Sequence, residues 1–187
     1  MIAEKTRLTE AEYLALERQS QERHEYCDGE RRLMAGASRK HNIIAGNIFS
    51  LLHQRLRGKP CKPHMSDLRL WIESARRYYY PDIAIICGKE PFIKDDLAID
   101  ATVIVEVLSD STEAIDRDEK LVNYRRLPSL HDYVLVSQNE TRVEHFRKRS
   151  ETEWQGFALA EPDRCVQLEE FAIEIPLKEI YADVEFI

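Results

Sequence analysis

The sequence contains no long hydrophobic run. None of its apolar stretches approaches the roughly 20 residues that a membrane-spanning helix requires. The first five residues (MIAEK) also lack the apolar core of a secretory signal peptide. These two absences predict a cytoplasmic protein with no membrane partner.

Paired cysteines and internal repeats are missing as well. The four cysteines, Cys27, Cys61, Cys87 and Cys165, do not have the spacing of a zinc site or of a disulfide framework, so we expect reduced, mostly buried thiols. There is no repeat, no low-complexity tract and no linker. The 187 residues, 43% hydrophobic and 33% charged, are therefore expected to form a single domain over residues 1–187 with its own core.

The charge is unevenly distributed. The net charge is −7, yet residues 31–80 carry 11 Lys or Arg against two acidic residues. Residues 1–30 and 81–187 are both acidic. A basic sector on an acidic body is typical of an enzyme that touches phosphates locally, although a solvated helix face and loops would give the same pattern.

Capping residues and hydrophobic periodicity predict a mixed α/β (α+β) fold, with a β-sheet flanked by helices. A capping box at residues 9–12 begins a short N-terminal helix, Asp28-Gly29 marks a hairpin, and Ser38 caps a long helix that ends near Gly58. The later predicted elements are strands 61–72, 78–87, 102–109, 132–137, 141–147 and 153–159, a charged loop 88–101, a helix 113–126 capped by Ser111 or Thr112, and a helical turn after Pro176.

Two of the predicted strands each carry one carboxylate. Asp82 begins strand 78–87 and Glu106 lies near the end of strand 102–109, and both strands read as buried because they are short and rich in β-branched residues. A buried carboxylate is costly unless a cation holds it. Two neighbouring strands of this kind would present hard oxygen ligands to Mg²⁺ or Mn²⁺, and Lys120 follows on a polar segment that reads as helical. The alternative is an Asp in a turn and a Glu paired with a nearby lysine.

These residues also resemble a known family. The Pro81-Asp82 pair followed by Glu106-Val107-Leu108 is similar to the signature of the PD-(D/E)XK nucleases, which have the restriction-endonuclease-like fold. Longer strings resemble the Uma-type branch of that superfamily, formerly a domain of unknown function. These strings are residues 24–30 (HEYCDGE), 66–69 (SDLR), 79–82 (YYPD), 106–109 (EVLS), 116–120 (DRDEK), 124–126 (YRR) and 128–130 (PSL).

The resemblance implies a role for each site residue. Asp82, Glu106 and the main-chain carbonyl of Val107 would bind the metal, and Glu25 would add an acid from the N-terminal part. Leu108 stands where the superfamily expects a lysine, so Lys120 from the following helix would take that role, with Leu108 pointing into the core. A plain Asp116–Lys120 pair at i,i+4 and an exposed strand glutamate at position 25 are the alternatives.

Several other residues have more than one possible role. His41 could touch phosphate or the attacking water, but a lone histidine is more often an ordinary helix-surface residue. Asp67 and Arg69 could pair with each other or line the cleft. Tyr78, Tyr79 and Tyr80 could stack on bases, although tyrosines on a half-buried sheet are commoner.

The sequence therefore predicts a Mg²⁺- or Mn²⁺-dependent DNA endonuclease, with Asp82, Glu106, Lys120 and Glu25 as catalytic residues. DNA is the expected partner and a homodimer the expected assembly. Because no recognition domain is appended, specificity is expected to be low or to come from a partner protein. The rivals are a non-catalytic nucleic-acid-binding or regulatory protein that keeps the fold, and a structural or toxin-linked interaction protein.

Overall fold

The computed structural model describes residues 7–88, 91–94 and 96–186, so the start of the chain, on which the signal-peptide argument rests, lies outside the described residues. Within the described part the strands form two six-stranded sheets and a two-stranded ribbon. No helix there is both long and apolar enough to cross a membrane.

The first sheet is built around the N-terminal hairpin. It has the order β2-β1-β5-β4-β8-β7, and β4 and β8 are its parallel pair. Asp28 and Gly29 turn the hairpin with positive φ angles of 46° and 98°, as the Asp-Gly pair predicts. The strands are β1 (His24–Cys27), β2 (Glu30–Leu33), β4 (Arg69–Ile72), β5 (Arg77–Tyr79), β7 (Phe92–Lys94) and β8 (Leu97–Ala98).

The second sheet has the order β12-β11-β10-β9-β6-β3 and is also mixed. Its central strands β9 and β10 are parallel, while β6 is antiparallel to β9. The strands are β3 (Cys61–Met65), β6 (Ile83–Cys87), β9 (Val103–Leu108), β10 (Asp132–Ser137), β11 (Val143–Lys148) and β12 (Trp154–Leu159), and the separate ribbon is β13 (Cys165–Leu168) with β14 (Ile173–Pro176).

The longest helix, α2, is capped by Ser38, whose side chain accepts the His41 N–H. Thr9 and Glu12 form the predicted capping box at the start of α1. The helices are α1 (Glu10–Glu17), α2 (Arg39–Arg55), α3 (Glu113–Ile115), a π-helical turn (Asp116–Lys120), α4 (Leu121–Tyr124) and α5 (Leu177–Ile180), with 3₁₀ turns at Glu73–Ala75 and Glu169–Phe171.

Strand β9 separates two apolar clusters, because successive side chains point to opposite faces of a sheet. Val103, Val105 and Val107 pack in the cluster that includes α2. Ile104 and Leu108 pack in the other, which includes Tyr124 and residues of the first sheet. All six residues of β9 are buried, so a carboxylate on this strand lies inside the protein.

The mixed α+β class with an N-terminal helix and hairpin is confirmed, but several boundaries were wrong. Residues 78–87 are not one strand: β5 belongs to the first sheet and β6 to the second, and the segment 80–82 crosses between them. Residues 61–72 are likewise divided by a turn after Met65, and the predicted loop 88–101 contains β7 and β8. Apolar periodicity cannot reveal which sheet each half of such a run joins.

The helix expected over 113–126 is shorter and irregular, and Thr112 precedes it without a side-chain capping hydrogen bond. The Ser109 hydroxyl instead lies within hydrogen-bonding distance of the Ser111 and Thr112 hydroxyls. These side chains therefore bond to one another and leave the helix terminus uncapped.

The expectation of four reduced cysteines was wrong for two of them. The structure joins Cys61 to Cys87 in a disulfide, while Cys27 and Cys165 are free. The register of β3 and β6 places Cys61 directly opposite Cys87. A separation of 26 residues gives no sign of this pairing, because the register becomes visible only in the folded sheet.

Candidate active site

Asp82 and Glu106 meet where β6 begins. The register pairs Ile83 with Val105, so the residue before Ile83 lies beside Glu106. The Asp82 main-chain N–H donates to Glu106 Oε2 at 3.2 Å, and the Val107 N–H donates to Asp82 Oδ2 at 2.7 Å. The sequence-predicted pair of acids is therefore brought together, with the main chain of Val107 between them.

Lys120 is buried among carboxylates. Its Nζ lies 3.0 Å from Glu25 Oε1, 3.1 Å from Glu106 Oε1 and 3.1 Å from Asp116 Oδ1. The Lys120 side chain is 6% exposed, so this ammonium has left bulk water. Lys120 thus makes the i,i+4 pair with Asp116 and also contacts Glu106, and Glu25, 5% exposed, is not an exposed strand residue.

A π-helical turn, Asp116–Lys120, carries the lysine into this position. Single π turns are rare and occur often at functional sites. Glu119 on the same turn bonds instead to the Tyr79 hydroxyl and the Arg32 guanidinium. The turn thus directs two adjacent side chains to two different environments.

Glu106 is the most strongly perturbed carboxyl of the site. Burial raises its pKa to about 8; Lys120 opposes this, while Asp116, Asp82 and Glu25 add to it. Burial tends to lower the pKa of Lys120, but Glu106, Glu25 and Asp116 raise it well above its ordinary value. Lys120 therefore stays protonated, and Glu106 titrates closer to neutral pH than an ordinary glutamate does.

Sequence reasoning missed Tyr124. Its hydroxyl donates to Glu106 Oε1 at 2.9 Å, and the Tyr124 side chain is fully buried. Tyr133, also fully buried, donates to the Asp116 carbonyl at 3.0 Å. A tyrosine one helical turn after a candidate catalytic lysine was the available signal, since both side chains then lie on one helix face.

His41 is not the helix-surface residue that was expected. Its Nε2 lies 3.1 Å from Asp82 Oδ2, and its side chain is 13% exposed. Burial tends to lower the His41 pKa, but the hydrogen bond to Asp82 and the Asp82 charge outweigh it and raise the pKa. A histidine in the first turn of a helix was a usable signal, because the helix dipole there disfavours a cation unless an anion holds it.

Other candidates lie away from this group. Asp67 and Arg69 do not pair with each other: Asp67 contacts Arg23 at 3.2 Å, and the buried Arg69 contacts Asp96. Tyr78, Tyr79 and Tyr80 are at most 4% exposed, so they are core residues of β5 and of the segment that follows it. Tyr79 is the exception to this separation, because Lys120 Nζ lies 5.6 Å from its ring centroid. Leu108 is buried in the core as predicted, on the same face of β9 as Glu106.

Four acids around Lys120 and His41 form what we name the carboxylate cluster. Its members are Glu25, Asp82, Glu106 and Asp116.

Two atoms of the carboxylate cluster, Glu25 Oε1 and Asp116 Oδ1, are buried and accept no hydrogen bond from any described residue, although both lie at ion-pair distance from Lys120. Three buried carboxyl groups and the partly buried Asp82 share two cationic partners, Lys120 and His41. Mg²⁺ or Mn²⁺ would offset this surplus of acids. Among the described residues, no three His, Cys, Asp or Glu side chains already converge as ligands on one point.

Comparison with known proteins places this geometry in a family. A family model described as "Putative restriction endonuclease", Uma2, matches residues 10–178. The chain belongs to the Uma2 family. The Uma2 match spans every residue of the carboxylate cluster together with His41 and Lys120, which confirms the resemblance read from the sequence strings.

Relatives of this Uma2 chain include two uncharacterized proteins of Synechocystis sp. One, sll1609, is 38% identical over 150 residues, which are 79% of this chain and 84% of the relative. The other, slr1290, is 31% identical over 180 residues, 96% and 94% of the two chains. A crystal structure from Anabaena variabilis, described as "a putative nuclease belonging to DUF820", superposes with a TM-score of 0.78 at 17% identity and covers 94% of this chain and 98% of its own. The fold is thus a nuclease-like one.

Proposed function

We propose that this Uma2-family chain is a metal-dependent DNA endonuclease that hydrolyses phosphodiester bonds. The observation that carries the proposal is the Lys120 ammonium buried among Glu25, Glu106 and Asp116, with Glu106 in turn bonded to the main-chain N–H of Asp82. A purely structural ion pair needs one carboxylate for each cation. An excess of buried carboxylates costs stability and is typical of sites that bind a further cation.

Asp82 and Glu106, with the main-chain carbonyl of Val107, would hold Mg²⁺ or Mn²⁺. When bound, the cation would lower the pKa of a coordinated water and stabilise negative charge on the phosphate. His41 and the Val107 N–H both contact Asp82 Oδ2, so they fix the orientation of this carboxylate. Tyr124 does the same for Glu106 through Oε1.

Lys120 would act on the reacting groups by charge. It stays protonated, and the contacts with Glu25 and Asp116 hold its ammonium beside Glu106. From there it would orient the attacking water and offset the charge that develops on the phosphate oxygens. Glu25 and Asp116 would be positioning residues in this scheme, because they act through the lysine.

The proposal includes DNA as substrate, residues 1–187 as a single cytoplasmic domain, and a homodimer whose two sites would serve the two strands of a duplex. Light scattering after size-exclusion chromatography tests the dimer directly. A specificity-giving partner protein is needed only if the isolated chain cuts without sequence preference.

Plasmid nicking tests the proposed reaction. The wild type should nick supercoiled DNA with Mg²⁺ or Mn²⁺ and stop when EDTA is added, and Asp82→Asn should lower the rate by about 10²–10³-fold. Asp67→Asn is the matched control, because Asp67 is 86% exposed and contacts Arg23 instead of the carboxylate cluster. Nicking that survives EDTA, or an Asp82→Asn variant as fast as the control, would refute the mechanism. DNA binding without any nicking would favour the non-catalytic rival.

A further inference from the structure

Two arginines near the carboxylate cluster, Arg32 and Arg77, contact Glu119, the residue before Lys120. Arg32 on β2 holds Glu119 with both guanidinium Nη atoms, Nη1 at 3.4 Å and Nη2 at 3.1 Å. The Nε of Arg77 lies 3.7 Å from the same carboxylate. Glu119 immediately precedes Lys120 on the π turn, so these cations are fixed to the element that supplies the lysine.

The hairpin register brings Arg32 close to the site from a second direction. Glu25 and Arg32 are directly opposite each other on β1 and β2, so their side chains lie on one face of the sheet. Glu25 is buried against Lys120, whereas the Arg32 side chain is 38% exposed. Arg32 thus stands between the buried cluster and solvent.

This arginine pair carries more positive charge than its partners neutralise. Two guanidinium groups meet one carboxylate, and the other contacts of Glu119 are the neutral Tyr79 hydroxyl and Cys27 thiol, at 2.8 Å and 3.6 Å. Arg77 donates from Nη1 to the carbonyls of Ala75 and Arg76, whereas its buried Nε makes no hydrogen bond with any described residue, so part of its donor capacity is unused. A surplus cation with free donors fits an additional anion.

A nucleic-acid strand that approaches the carboxylate cluster needs such cations, because its phosphates are repelled by the excess of acidic groups. Guanidinium groups suit this task, since their planar donors bind phosphate oxygens in pairs. Several other residues of the basic sector are less suitable. Arg69 is buried against Asp96, Arg76 pairs with Glu10 and Asp28, and Arg55 lies about 20 Å along α2 from His41 at 1.5 Å per residue.

We infer that Arg32 and Arg77 bind a backbone phosphate of the DNA, next to the phosphate at which the strand is cut. In the free protein Glu119 occupies the two arginines, so it competes with this phosphate for them. The inference rests on the proposed function for its substrate. It goes beyond it by assigning a strand-positioning contact outside the metal and lysine chemistry.

Binding of a fluorescent duplex in EDTA, followed by anisotropy over a range of KCl concentrations, tests the inference without requiring cleavage. Arg32→Ala should reduce the slope of log K against log salt by about 0.9, one phosphate contact on B-DNA. Lowering KCl from 1 M to 0.1 M should then widen the affinity gap to the wild type by about eightfold. Arg32→Gln should behave in the same way if the charge is what matters. Arg55→Ala is the matched control and should keep the wild-type slope.

Glu119→Gln separates phosphate binding from a structural clasp. Removing the competing carboxylate should tighten binding, by more than the exposed control Glu161→Gln, which changes the net charge equally. A clasp that merely fastens β2 to the π turn would instead make Glu119→Gln weaken binding, as Arg32→Ala does. Thermal melts of each variant verify that the fold is intact.

The results of these experiments distinguish the arginine contact from the proposed endonuclease activity. Equal slopes for Arg32→Ala and Arg55→Ala, weaker binding by Glu119→Gln, or a wild type that does not bind the duplex would each overturn the arginine contact. A wild type that binds with the expected slopes but never nicks DNA with Mg²⁺ or Mn²⁺ refutes the endonuclease and leaves the contact standing. Nicking with an unaltered Arg32→Ala slope refutes the contact alone.

Discussion

Replacing Glu106 by glutamine should remove most of the pH dependence of stability in the metal-free protein. Burial, with Asp116, Asp82 and Glu25 nearby, raises the pKa of Glu106 from its ordinary value of 4.5 to about 8. Three donors oppose this shift: Lys120 Nζ, the Tyr124 hydroxyl and the Asp82 N–H. Burial wins because Glu106 is 3% exposed and lies in a cluster with more acids than cations.

The direction in which stability changes with pH follows from the protonation of Glu106 in the folded and the unfolded protein. Between pH 4.5 and about 8 the folded protein holds a proton on Glu106 that the unfolded chain has released. The contribution to stability is therefore complete below pH 4.5 and is lost as the pH rises through 8. Each unit of pH in this window costs up to about 1.4 kcal/mol, so a loss on the order of 3 kcal/mol is expected between pH 5 and 8. For a chain of this size that is roughly 10 °C in Tm.

Urea unfolding in EDTA at pH 5, 6, 7 and 8 measures the effect. Glutamine cannot ionise, so Glu106→Gln should flatten the curve, while its amide nitrogen or oxygen must meet one mismatched partner. That mismatch costs about 1–2 kcal/mol at every pH, which displaces the curve without tilting it. His41 has a raised pKa and contributes with the same sign, so the difference between the wild-type and Glu106→Gln curves carries the test. Two curves that run parallel from pH 5 to 8 would show that Glu106 is ionised in the folded protein.

Three further predictions concern the same site. Lys120→Met should lower nicking by about 10²–10³-fold and destabilise the metal-free protein by about 3–5 kcal/mol, measured by plasmid assay and urea unfolding; wild-type stability would mean that the buried ion pairs are not formed. Binding of Mn²⁺ at pH 7 should release about one proton from Glu106, measured by calorimetry in two buffers of different ionisation enthalpy, and Glu106→Gln should release none. Tyr124→Phe removes a donor to the ionised carboxylate, so the stability–pH midpoint should move to higher pH; an unchanged midpoint would contradict the hydrogen bond.

Much of the site was predictable because the position of a residue within a short strand can be read directly from the sequence. Asp82 and Glu106 each stand at a defined position in a short apolar run, and antiparallel pairing of β6 with β9 brings them together. The hairpin around Asp28 and Gly29 was equally visible, since a two-residue turn with positive φ selects for that pair. These signals lie in short stretches of sequence, and the structures they predict do not depend on packing between distant segments.

The parts that could not be predicted depend on packing between distant segments. The run 78–87 is apolar on both sides of Pro81-Asp82, and apolar periodicity does not show that the two halves join different sheets. The helix positions of His41 and Tyr124 were usable signals, but their contacts with the acids were not predictable, because no spacing rule relates α2 and α4 to β6 or β9. The Cys61–Cys87 bond likewise required the register of β3 against β6.

The displaced lysine follows from how β9 is used. Positions 106 and 108 share one face of the strand, and that face packs against Tyr124 and the first sheet. A lysine at 108 would bury an ammonium in this apolar cluster, where leucine contributes to the core instead. Lys120 on the π turn instead contacts Glu106 across the same face, and it also contacts Glu25 and Asp116. The cation is therefore supplied where the acids already are, and Leu108 stays in the apolar cluster. The consequence is that the ammonium is only as well placed as the π turn, which makes the hydrogen bond from the Tyr79 hydroxyl to Glu119 part of the support of the site.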